Sequence, residues 1–299
     1  MRILVAGREG QLARALLEAS SRSDIDVIAI GRPDLDITDG ASVAAAIARE
    51  RPDIFANAAA YTAVDRAESE PAATHAVNAL GAEHAAAACA ANSIPIIHIS
   101  TDYVFDGTKP SPYVEEDATG PISLYGQSKL DGELRVAKAC ARHLILRTAW
   151  LHSPWGANFV KTMLRLATEQ TVISVVDDQR GAPTYVPDLA SIVLALAARA
   201  VRDPGATPWG VYHAVNGGEA TWCGFAREVF QSAREYGLPA AEVVSIATAD
   251  YPTAAVRPAN SRLNCAKLRR SFGLELPDWR TGVRDCVARL AAHEGSLRS

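Results

Sequence analysis

The feature that most constrains the fold is a repeated alternation of short apolar runs with longer alanine-rich stretches. Apolar runs of this length are typical of strands buried on both faces of a parallel sheet, and the alanine-rich stretches have the length and spacing of helices. The predicted strands are Arg2–Ala6, Asp26–Ile30 and residues 54–58, 94–99 and 144–147. The predicted helices are Gln11–Ser20 and residues 41–49, 72–91 and 123–142. We therefore predict an α/β fold, a Rossmann-like doubly wound parallel sheet with helices on both faces.

A second, smaller lobe is predicted from a change in the frequency of turns and prolines along the chain. A strand at Val172–Val176 and a helix at residues 188–202 are expected to complete the large layer. Residues 150–166 and the chain after Pro204 contain more turns and prolines. We predict that residues 1–149 plus about 170–205 form the large domain, and about 150–169 plus 206–299 form an interleaved α/β lobe that binds substrate.

Composition excludes several classes of protein. The formal net charge of −4 argues against a nucleic-acid footprint, and no apolar run reaches the roughly 18 residues expected of a membrane helix. The five cysteines are odd in number and scattered, which predicts neither a disulfide framework nor a zinc site. These observations favour a protein of the reducing cytoplasm.

A glycine-rich loop follows the first predicted strand and opens the first predicted helix. Gly7 and Gly10 allow a tight turn and a close approach of the backbone to a pyrophosphate, while Gln11 and Leu12 begin the helix whose amino terminus favours phosphate. Ala13 occupies the third small position and lets the helix pack on the sheet. In this strand-loop-helix context the loop predicts nucleotide binding, which makes the large domain a dinucleotide-binding domain.

Three further segments are candidates for cofactor contacts. Arg32 follows the second strand, where an acidic residue would bind the adenosine ribose and an arginine can pair with a 2′-phosphate. An ordinary solvated arginine is the alternative. Asp36 and Ile37 fall where an adenine edge would lie. The third strand is followed by small side chains that would let a dinucleotide pass, or that serve only helix-sheet packing: Ala58, Ala59 and Ala60.

The candidate reacting group is a tyrosine-lysine pair. Tyr125 and Lys129 are four residues apart on a predicted helix, so they lie side by side on one face. We expect the ammonium to lower the pKa of the phenol toward working pH. Thr101 ends a core strand and supplies a hydroxyl that can hold a carbonyl oxygen. His98, inside that strand, is interpreted as a core residue and not as a catalyst.

The same helix has a predicted start and a predicted buried face. Ser123 follows a proline and is expected to cap a helix that starts near Leu124. At about 100° per residue one apolar stripe is expected to face the core, with Tyr125 and Lys129 on the other side. The stripe consists of Leu130, Leu134, Ala137 and Ala141.

These motifs resemble the extended short-chain dehydrogenase/reductases and, within them, the dTDP-4-dehydrorhamnose reductases. The resemblance rests on Gly-Arg-Glu-Gly-Gln-Leu, Asn-Ala-Ala-Ala-Tyr-Thr-Ala-Val-Asp, Ser-Thr-Asp-Tyr-Val-Phe-Asp-Gly and Tyr-Gly-Gln-Ser-Lys-Leu-Asp-Gly-Glu. It continues through Arg-Thr-Ala-Trp, Asp-Asp-Gln-Arg-Gly-Ala-Pro-Thr and Arg-Pro-Ala-Asn-Ser-Arg-Leu, so it covers nearly the whole chain. The resemblance implies reduction of the 4-keto group of dTDP-4-dehydro-6-deoxy-L-mannose to dTDP-L-rhamnose, the last step in making this precursor of cell-surface polysaccharide.

The resemblance also implies roles for individual residues. Tyr125 would be the proton donor, Thr101 would tune it and bind substrate, and Lys129 would position cofactor and tyrosine. Residues implied on the substrate side are Asp102, Trp150, Arg257, Asn260 and Ser261. Tyr61, on the cofactor side, stands where the family often has histidine, and Ala13 stands where a third glycine is usual.

The implied cofactor is NADPH, with NADH possible, and the implied partner is a small nucleotide-sugar substrate. Some family members are magnesium-dependent dimers, but too few carboxylates are expected to converge near Glu18 and Asp188 for a metal site here. We therefore predict no metal, and a monomer or weak homodimer that binds neither nucleic acid nor membrane. A cofactor-binding regulatory subunit and a nucleotide-sugar epimerase or dehydratase remain alternatives on the same fold.

Overall fold

The computed structural model describes residues 1–21 and 24–298, with side chains up to residue 292. Arg22, Ser23 and Ser299, which belong to the predicted domains, lie outside the described residues. The strands are β1 (Arg2–Ala6), β2 (Asp26–Ile30), β3 (Ile54–Asn57), β4 (Ile96–Thr101), β5 (His143–Thr148), β6 (Leu151–His152), β7 (Val172–Val176), β8 (Arg180–Gly181), β9 (Thr184–Tyr185), β10 (Gly210–His213), β11 (Ala220–Thr221) and β12 (Glu242–Ile246).

The helices alternate with these strands, as the sequence predicts. They are α1 (Gln11–Ser20), α2 (Gly40–Glu50), α3 (Val64–Ala67), α4 (Pro71–His75), α5 (Gly81–Ala91), α6 (Leu124–Ala139), α7 (Phe159–Leu166), α8 (Val186–Arg202), α9 (Trp222–Glu235), α10 (Ala266–Phe272) and α11 (Trp279–Arg298). A π-helical turn, Ala76–Leu80, joins α4 to α5, and a 3-10 turn, Asp102–Val104, follows β4. Within the described part of the chain, every helix is too short or too polar to cross a lipid bilayer.

Six parallel strands form the central sheet in the order β10-β5-β4-β3-β1-β2. One face packs on α1 and α8, and the other packs on α2, α5 and the end of α6. Strands covered on both faces must be apolar along their whole length, which is why β1 reads Arg-Ile-Leu-Val-Ala with four buried residues. The predicted Rossmann-like α/β class is confirmed.

The sheet predicted for one strand is wrong. Val172–Val176 forms a strand, but it pairs in parallel with Glu242–Ile246 in a separate two-stranded sheet and does not complete the central layer. The sixth central strand is Gly210–His213, which pairs with β5. The burial pattern of β7 alternates, with Val172 and Ser174 exposed and Ile173 and Val175 buried. A strand covered on both faces would not alternate in this way, so β7 belongs to the edge of the smaller lobe.

The buried face of α6 also differs from the predicted stripe. Leu134 is 63% exposed, and Ala137 and Ala141 are exposed as well. The face that meets the sheet includes Lys129, Glu133 and Val136. Periodicity identifies an apolar stripe, but a buried polar network can occupy the core-facing side when its groups are paired.

A second core lies outside the central sheet. It gathers α7, β7, α9 and the start of α11 around aromatic side chains such as Phe225, Phe230 and Trp279. The segments come from both sides of α8 in the sequence, so this lobe is interleaved with the sheet-forming part of the chain.

Candidate active site

The central sheet opens a crevice where its strand order reverses. The chain leaves β1 and β3 in opposite lateral directions along the sheet, and open α/β sheets bind ligands at the carboxyl ends of strands beside such a point. A cleft of about 500 Å³ lies there. Its lining includes nine residues predicted to contact a cofactor: Gly7, Gly10, Arg32, Asp36, Ile37, Ala58, Ala59, Ala60 and Tyr61.

Gly7 shapes the floor of this cleft. Its φ is +114°, which side-chain-bearing residues rarely adopt, and a Cβ added there would lie 3.3 Å from backbone atoms of Ala58 and Ala59. Gly10 then stands at the N-cap of α1, so unpaired amide groups of that helix face the cleft. Ala13 is fully buried against the sheet, as predicted for the third small position.

The side chains of Gln11 and Leu12 point elsewhere. The Gln11 Oε1 atom accepts hydrogen bonds from Ser153 Oγ (2.6 Å) and Asn158 Nδ2 (3.1 Å), which ties the glycine loop to the segment after β6. Leu12 is 6% exposed and packs in the core beside the sheet. Any contact of Leu12 with a ligand in the cleft would therefore come from its backbone.

The far end of the cleft carries charge. Arg32 is exposed there, and Arg8, which the sequence analysis did not single out, lines the same cleft. Asp36 is held by Thr38, whose amide and hydroxyl donate to its Oδ1 atom and lower the pKa of the carboxyl. An arginine inside the glycine loop is the signal that would have identified Arg8.

Tyr61 is fixed at the inner wall. Its amide donates to Asn78 Oδ1 (2.8 Å), and its hydroxyl donates to Glu70 Oε2 (2.6 Å). The hydrogen bond to Glu70 raises the pKa of the phenol, so Tyr61 stays neutral near pH 7.

The helix α6 brings Tyr125 to the end of β4. Ser123 caps α6 as predicted, because its Oγ atom accepts from the Gly126 amide at 3.2 Å. A Cβ added at Gly126 would lie 2.2 Å from the Tyr103 carbonyl oxygen, so only glycine permits this close approach. Tyr125 meets Tyr103 edge to face, with ring centroids 5.6 Å apart.

The pKa of Tyr125 is shifted opposite to the expectation. Burial raises it to about 12, the Thr101 hydroxyl beside the phenol lowers it only in part, and the Asp102 carboxylate raises it further. The expected lowering by Lys129 is wrong for this structure, because that ammonium is directed at the sheet: its Nζ atom donates to the Ile99 carbonyl at 2.6 Å. Tyr125 is therefore protonated at neutral pH, which is the form that can donate a proton.

Lys129 is itself buried, with 2% of its surface exposed. Burial lowers its pKa to about 8, and the Glu133 carboxylate one helical turn away acts in the opposite direction. The tyrosine-lysine spacing thus places both groups on one side of α6, as predicted, at the carboxyl end of β4.

Two of the predicted substrate residues meet Thr101. The Thr101 hydroxyl donates to Asp102 Oδ1 (3.0 Å) and accepts from the Tyr103 amide (3.2 Å). Burial raises the pKa of Asp102 to about 6, against the lowering effect of its neighbours Ser261 and Thr101. Although 159 sequence positions separate them, Ser261 and Asp102 are therefore adjacent in the folded chain.

Trp150 lies where the two lobes meet. Its φ is +46°, and its indole stacks on Trp222 with ring centroids 3.6 Å apart. A Cβ at Gly181 would lie 2.4 Å from the indole, so glycine is required there. The indole is thus rigidly held at the edge of the second core.

The other two predicted substrate residues are engaged within the protein. The Arg257 guanidinium makes a two-point ion pair with Asp65, at 3.1 and 2.7 Å. Asn260 donates from its amide nitrogen to the carbonyls of Lys109 (2.5 Å) and Ser111 (3.0 Å), so its side chain joins two loops. Asp65 was missed by the sequence analysis, although it closes one of the motifs quoted above.

The sequence analysis also missed a buried polar network behind Lys129. Glu133 Oε1 accepts from Ser100 Oγ (2.5 Å), and both Glu133 oxygens accept from the Arg147 guanidinium (2.7–3.2 Å). Glu133 and Arg147 are 3% and 4% exposed. The available signal was a carboxylate four residues after Lys129 on the same helical face.

Comparisons with known proteins agree along almost the whole chain. The model of the RmlD substrate binding domain family matches residues 1–292. A dTDP-4-dehydrorhamnose reductase of Sinorhizobium fredii is 48% identical over 287 residues, covering 96% of this chain and 97% of the relative.

Two solved structures share the fold. The dTDP-4-dehydrorhamnose reductase of Bacillus anthracis, crystallised in complex with NADP, is 36% identical with a TM-score of 0.90, covering 96% of this chain and 99% of that one. The corresponding structure from Clostridium acetobutylicum is 34% identical with a TM-score of 0.89, covering 97% and 99%. The chain therefore belongs to the dTDP-4-dehydrorhamnose reductase family of oxidoreductases.

Proposed function

We propose that this protein reduces the 4-keto group of dTDP-4-dehydro-6-deoxy-L-mannose to give dTDP-L-rhamnose, with NADPH as the reductant. The observation that carries this proposal is the contact between Tyr125 and Thr101 at the carboxyl end of β4, with the buried Lys129 one turn further along α6 and hydrogen-bonded to the Ile99 carbonyl of the same strand. A protein that only binds a cofactor has no need of a protonated phenol at this place. The family membership supports the same reaction class.

The cleft fits NADPH. The positive φ of Gly7, the small side chains of residues 58–60 and the exposed amide groups at the start of α1 form a cradle that a larger side chain would fill. We propose that these groups hold the pyrophosphate, that Arg32 and Arg8 face the 2′-phosphate, and that Asp36, Ile37 and Tyr61 line the remaining wall. When bound, the cofactor supplies the hydride.

We propose distinct roles for the three residues at the reacting carbonyl. Tyr125 donates its phenolic proton to the oxygen of the 4-keto group. The Thr101 hydroxyl, which donates to Asp102 Oδ1 in the free protein, turns to donate a hydrogen bond to the same keto oxygen when substrate binds. Lys129, on the same side of α6 as Tyr125, places its positive charge beside the nicotinamide ribose. Because α6 and β4 are rigid elements, these side chains are already oriented before substrate binds, so little entropy is lost in reaching the reacting geometry.

The substrate side is proposed from the smaller lobe and the adjoining loops. Asp102 and Ser261 lie next to Thr101, and Trp150 offers an indole held by Trp222. Arg257, held in its ion pair with Asp65, lies near Tyr103, while Asn260 holds the loop that carries Ser261. We propose that the sheet-forming domain binds the cofactor and that the interleaved lobe binds the nucleotide sugar.

The direct test is incubation of the protein with enzymatically made dTDP-4-keto-L-rhamnose and NADPH, followed by product identification. The proposal requires one NADPH consumed for each dTDP-L-rhamnose formed. An epimerase or dehydratase would change the sugar without net consumption of NADPH, and a regulatory subunit would bind NADPH and leave the sugar unchanged.

We expect a preference for NADPH over NADH that depends on Arg32. A charge-assisted contact with the 2′-phosphate contributes about 1.5–3 kcal/mol, so Arg32→Ala should weaken NADPH binding by about one to two decades and leave NADH binding nearly unchanged. The measurement is kcat/KM with each cofactor. A matched control is Arg165→Ala, which removes an exposed arginine on α7. Equal use of both cofactors before and after Arg32→Ala would show that Arg32 is only a solvated loop residue.

We also expect activity to survive EDTA, and the protein to be a monomer or weak dimer. The two carboxylates considered for a metal are already engaged: Glu18 pairs with Arg289 at 2.7 Å, and Asp188 accepts from Asn216 at 2.7 Å. Light scattering and turnover should therefore be the same with and without EDTA. A dimer that forms only with added magnesium would contradict this prediction.

A further inference from the structure

The hydrogen bond made by Lys129 does not offset the free-energy cost of burying its charged ammonium. It is 2% exposed, and a buried ammonium is costly unless an opposite charge compensates it. Its Nζ atom donates to a neutral acceptor, the Ile99 carbonyl. The role proposed above nevertheless requires Lys129 to carry its positive charge during turnover.

The opposite charge is provided one turn further along α6. Glu133 follows Lys129 by four residues, the spacing at which helical side chains are neighbours. Its carboxylate cannot turn away, because Ser100 Oγ on β4 and the Arg147 guanidinium on β5 hold it from the sheet side. A buried, fixed carboxylate at this position acts on Lys129 through a medium that screens charge weakly.

The other ionisable groups around Lys129 do not replace this carboxylate. His98 on β4 is fully buried, and its pKa lies well below the usual value because of burial first and the charge of Lys129 next, so it is neutral. Asp102, after β4, acts on Tyr125. On the flank of α6 that faces α4 and α5, His75 and Glu83 pair with Asp131 and Arg135.

We propose that Glu133, fixed by Ser100 and Arg147, is the counter-charge that keeps the buried Lys129 ammonium charged during catalysis. Glu133 is thus a positioning residue: it touches neither substrate nor cofactor and acts through Lys129. The inference rests on the proposed function for its catalytic meaning, but the charge state of Lys129 can be measured without turnover.

The test compares two substitutions that break the same ion pair. Glu133→Gln removes the negative charge and keeps a similar shape, so the pKa of Lys129 should fall by about one unit, the lower end of the range for loss of a nearby opposite charge. Arg147→Met removes the competing positive charge, so the pKa of Lys129 should stay or rise. If the ion pair only anchored α6 to the sheet, the pKa of Lys129 would not differ between the two variants.

The chain makes a direct measurement feasible, because it contains only five lysines. Lysine isotopically labelled at Cε gives five resonances, and the one that is lost in Lys129→Ala identifies Lys129. Its NMR titration is followed in the wild type and in both variants without cofactor. In parallel, the alkaline limb of kcat/KM should move to lower pH in Glu133→Gln and should not do so in Arg147→Met.

The outcomes are separable. If the wild type turns over the keto sugar but the Lys129 titration is unchanged in Glu133→Gln, or falls equally in both variants, the counter-charge proposal is overturned and the proposed function stands. If the wild type has no turnover, the proposed function fails and the NMR titration still decides the electrostatic role. If Glu133→Gln does not fold, Arg147→Met alone is compared with the wild type. The proposal requires the pKa of Lys129 to stay or rise in Arg147→Met, and a fall overturns it.

Discussion

Tyr125→Phe is expected to lower kcat for the keto sugar by about 10²–10⁴-fold while NADPH binding remains nearly intact. The substitution removes a positioned general acid, a loss that corresponds to about 3–5 kcal/mol of activation barrier. The ring itself stays, so its edge-to-face contact with Tyr103 and the capped start of α6 are retained. Lys129→Ala should behave differently and damage both NADPH affinity and rate, since lysine is proposed to serve both.

The neighbouring phenol is a matched control. Tyr103→Phe removes a second hydroxyl from the same region, and we expect its kcat to stay within tenfold of the wild type. Single-turnover rates and NADPH titration by fluorescence measure the two effects separately. A Tyr125→Phe enzyme with near-normal kcat would remove Tyr125 from the role of proton donor.

Glu133→Ala is expected to cause the largest loss of stability, about 3–5 kcal/mol. Removing one partner of a buried ion pair leaves the other charge without compensation, and this cost exceeds the net contribution of the intact pair. Arg147 is 4% exposed and would lose all three of its hydrogen bonds to Glu133. Urea denaturation followed by circular dichroism measures the change in the free energy of unfolding.

An exposed pair provides the comparison. Glu169→Ala removes a partner of Arg165 on the surface of α7, where both side chains are more than half exposed. Such pairs contribute little, so we expect a change within about 0.5 kcal/mol. Similar losses for Glu133→Ala and Glu169→Ala would mean that the network behind Lys129 is open to water.

The two predictions concern one piece of architecture. Tyr125, Lys129 and Glu133 occupy successive turns of α6, and β4 and β5 supply Thr101, Ser100 and Arg147 to meet them. The phenol of Tyr125, the proposed proton donor, thus lies at one end of a row of polar groups that runs into the interior. A change at the buried end is expected to alter the charge state of Lys129, without any contact with substrate.

Sequence patterns predict the helices and strands well where interactions between residues close in the sequence determine them. Strand β1, helix α1 and strand β2 have the bounds expected from the sequence, because a continuous apolar run flanked by a glycine loop permits few other structures. The capping of α6 by Ser123 is equally local, since it depends on a hydroxyl and an amide three residues apart. The nine predicted residues along the cleft follow from strand ends that meet at one edge of a parallel sheet.

The predictions that are wrong concern features that depend on contacts between segments distant in the sequence. The sequence of β7 is compatible with a strand in either sheet, and its pairing with β12 depends on a segment about 70 residues later in the chain. The face of α6 was misassigned because Glu133 and Lys129 look like surface residues until Ser100 and Arg147 are brought against them. Charged side chains are buried when charged or hydrogen-bonding partners are available. The sequence of a helix does not show which side chains from other elements will pack against it.

The sequence by itself determined the class of fold, and it predicted the glycine-rich loop proposed to bind the cofactor and the candidate reacting residues, because each depends on the spacing of residues within a short stretch. Only the tertiary structure decided the electrostatics. The pKa of Tyr125 is raised to about 12 because burial outweighs the Thr101 hydrogen bond, and Lys129 is directed to the Ile99 carbonyl instead of the phenol. Desolvation and the placement of counter-charges depend on how α6, β4 and β5 pack together, and no local pattern contains that information.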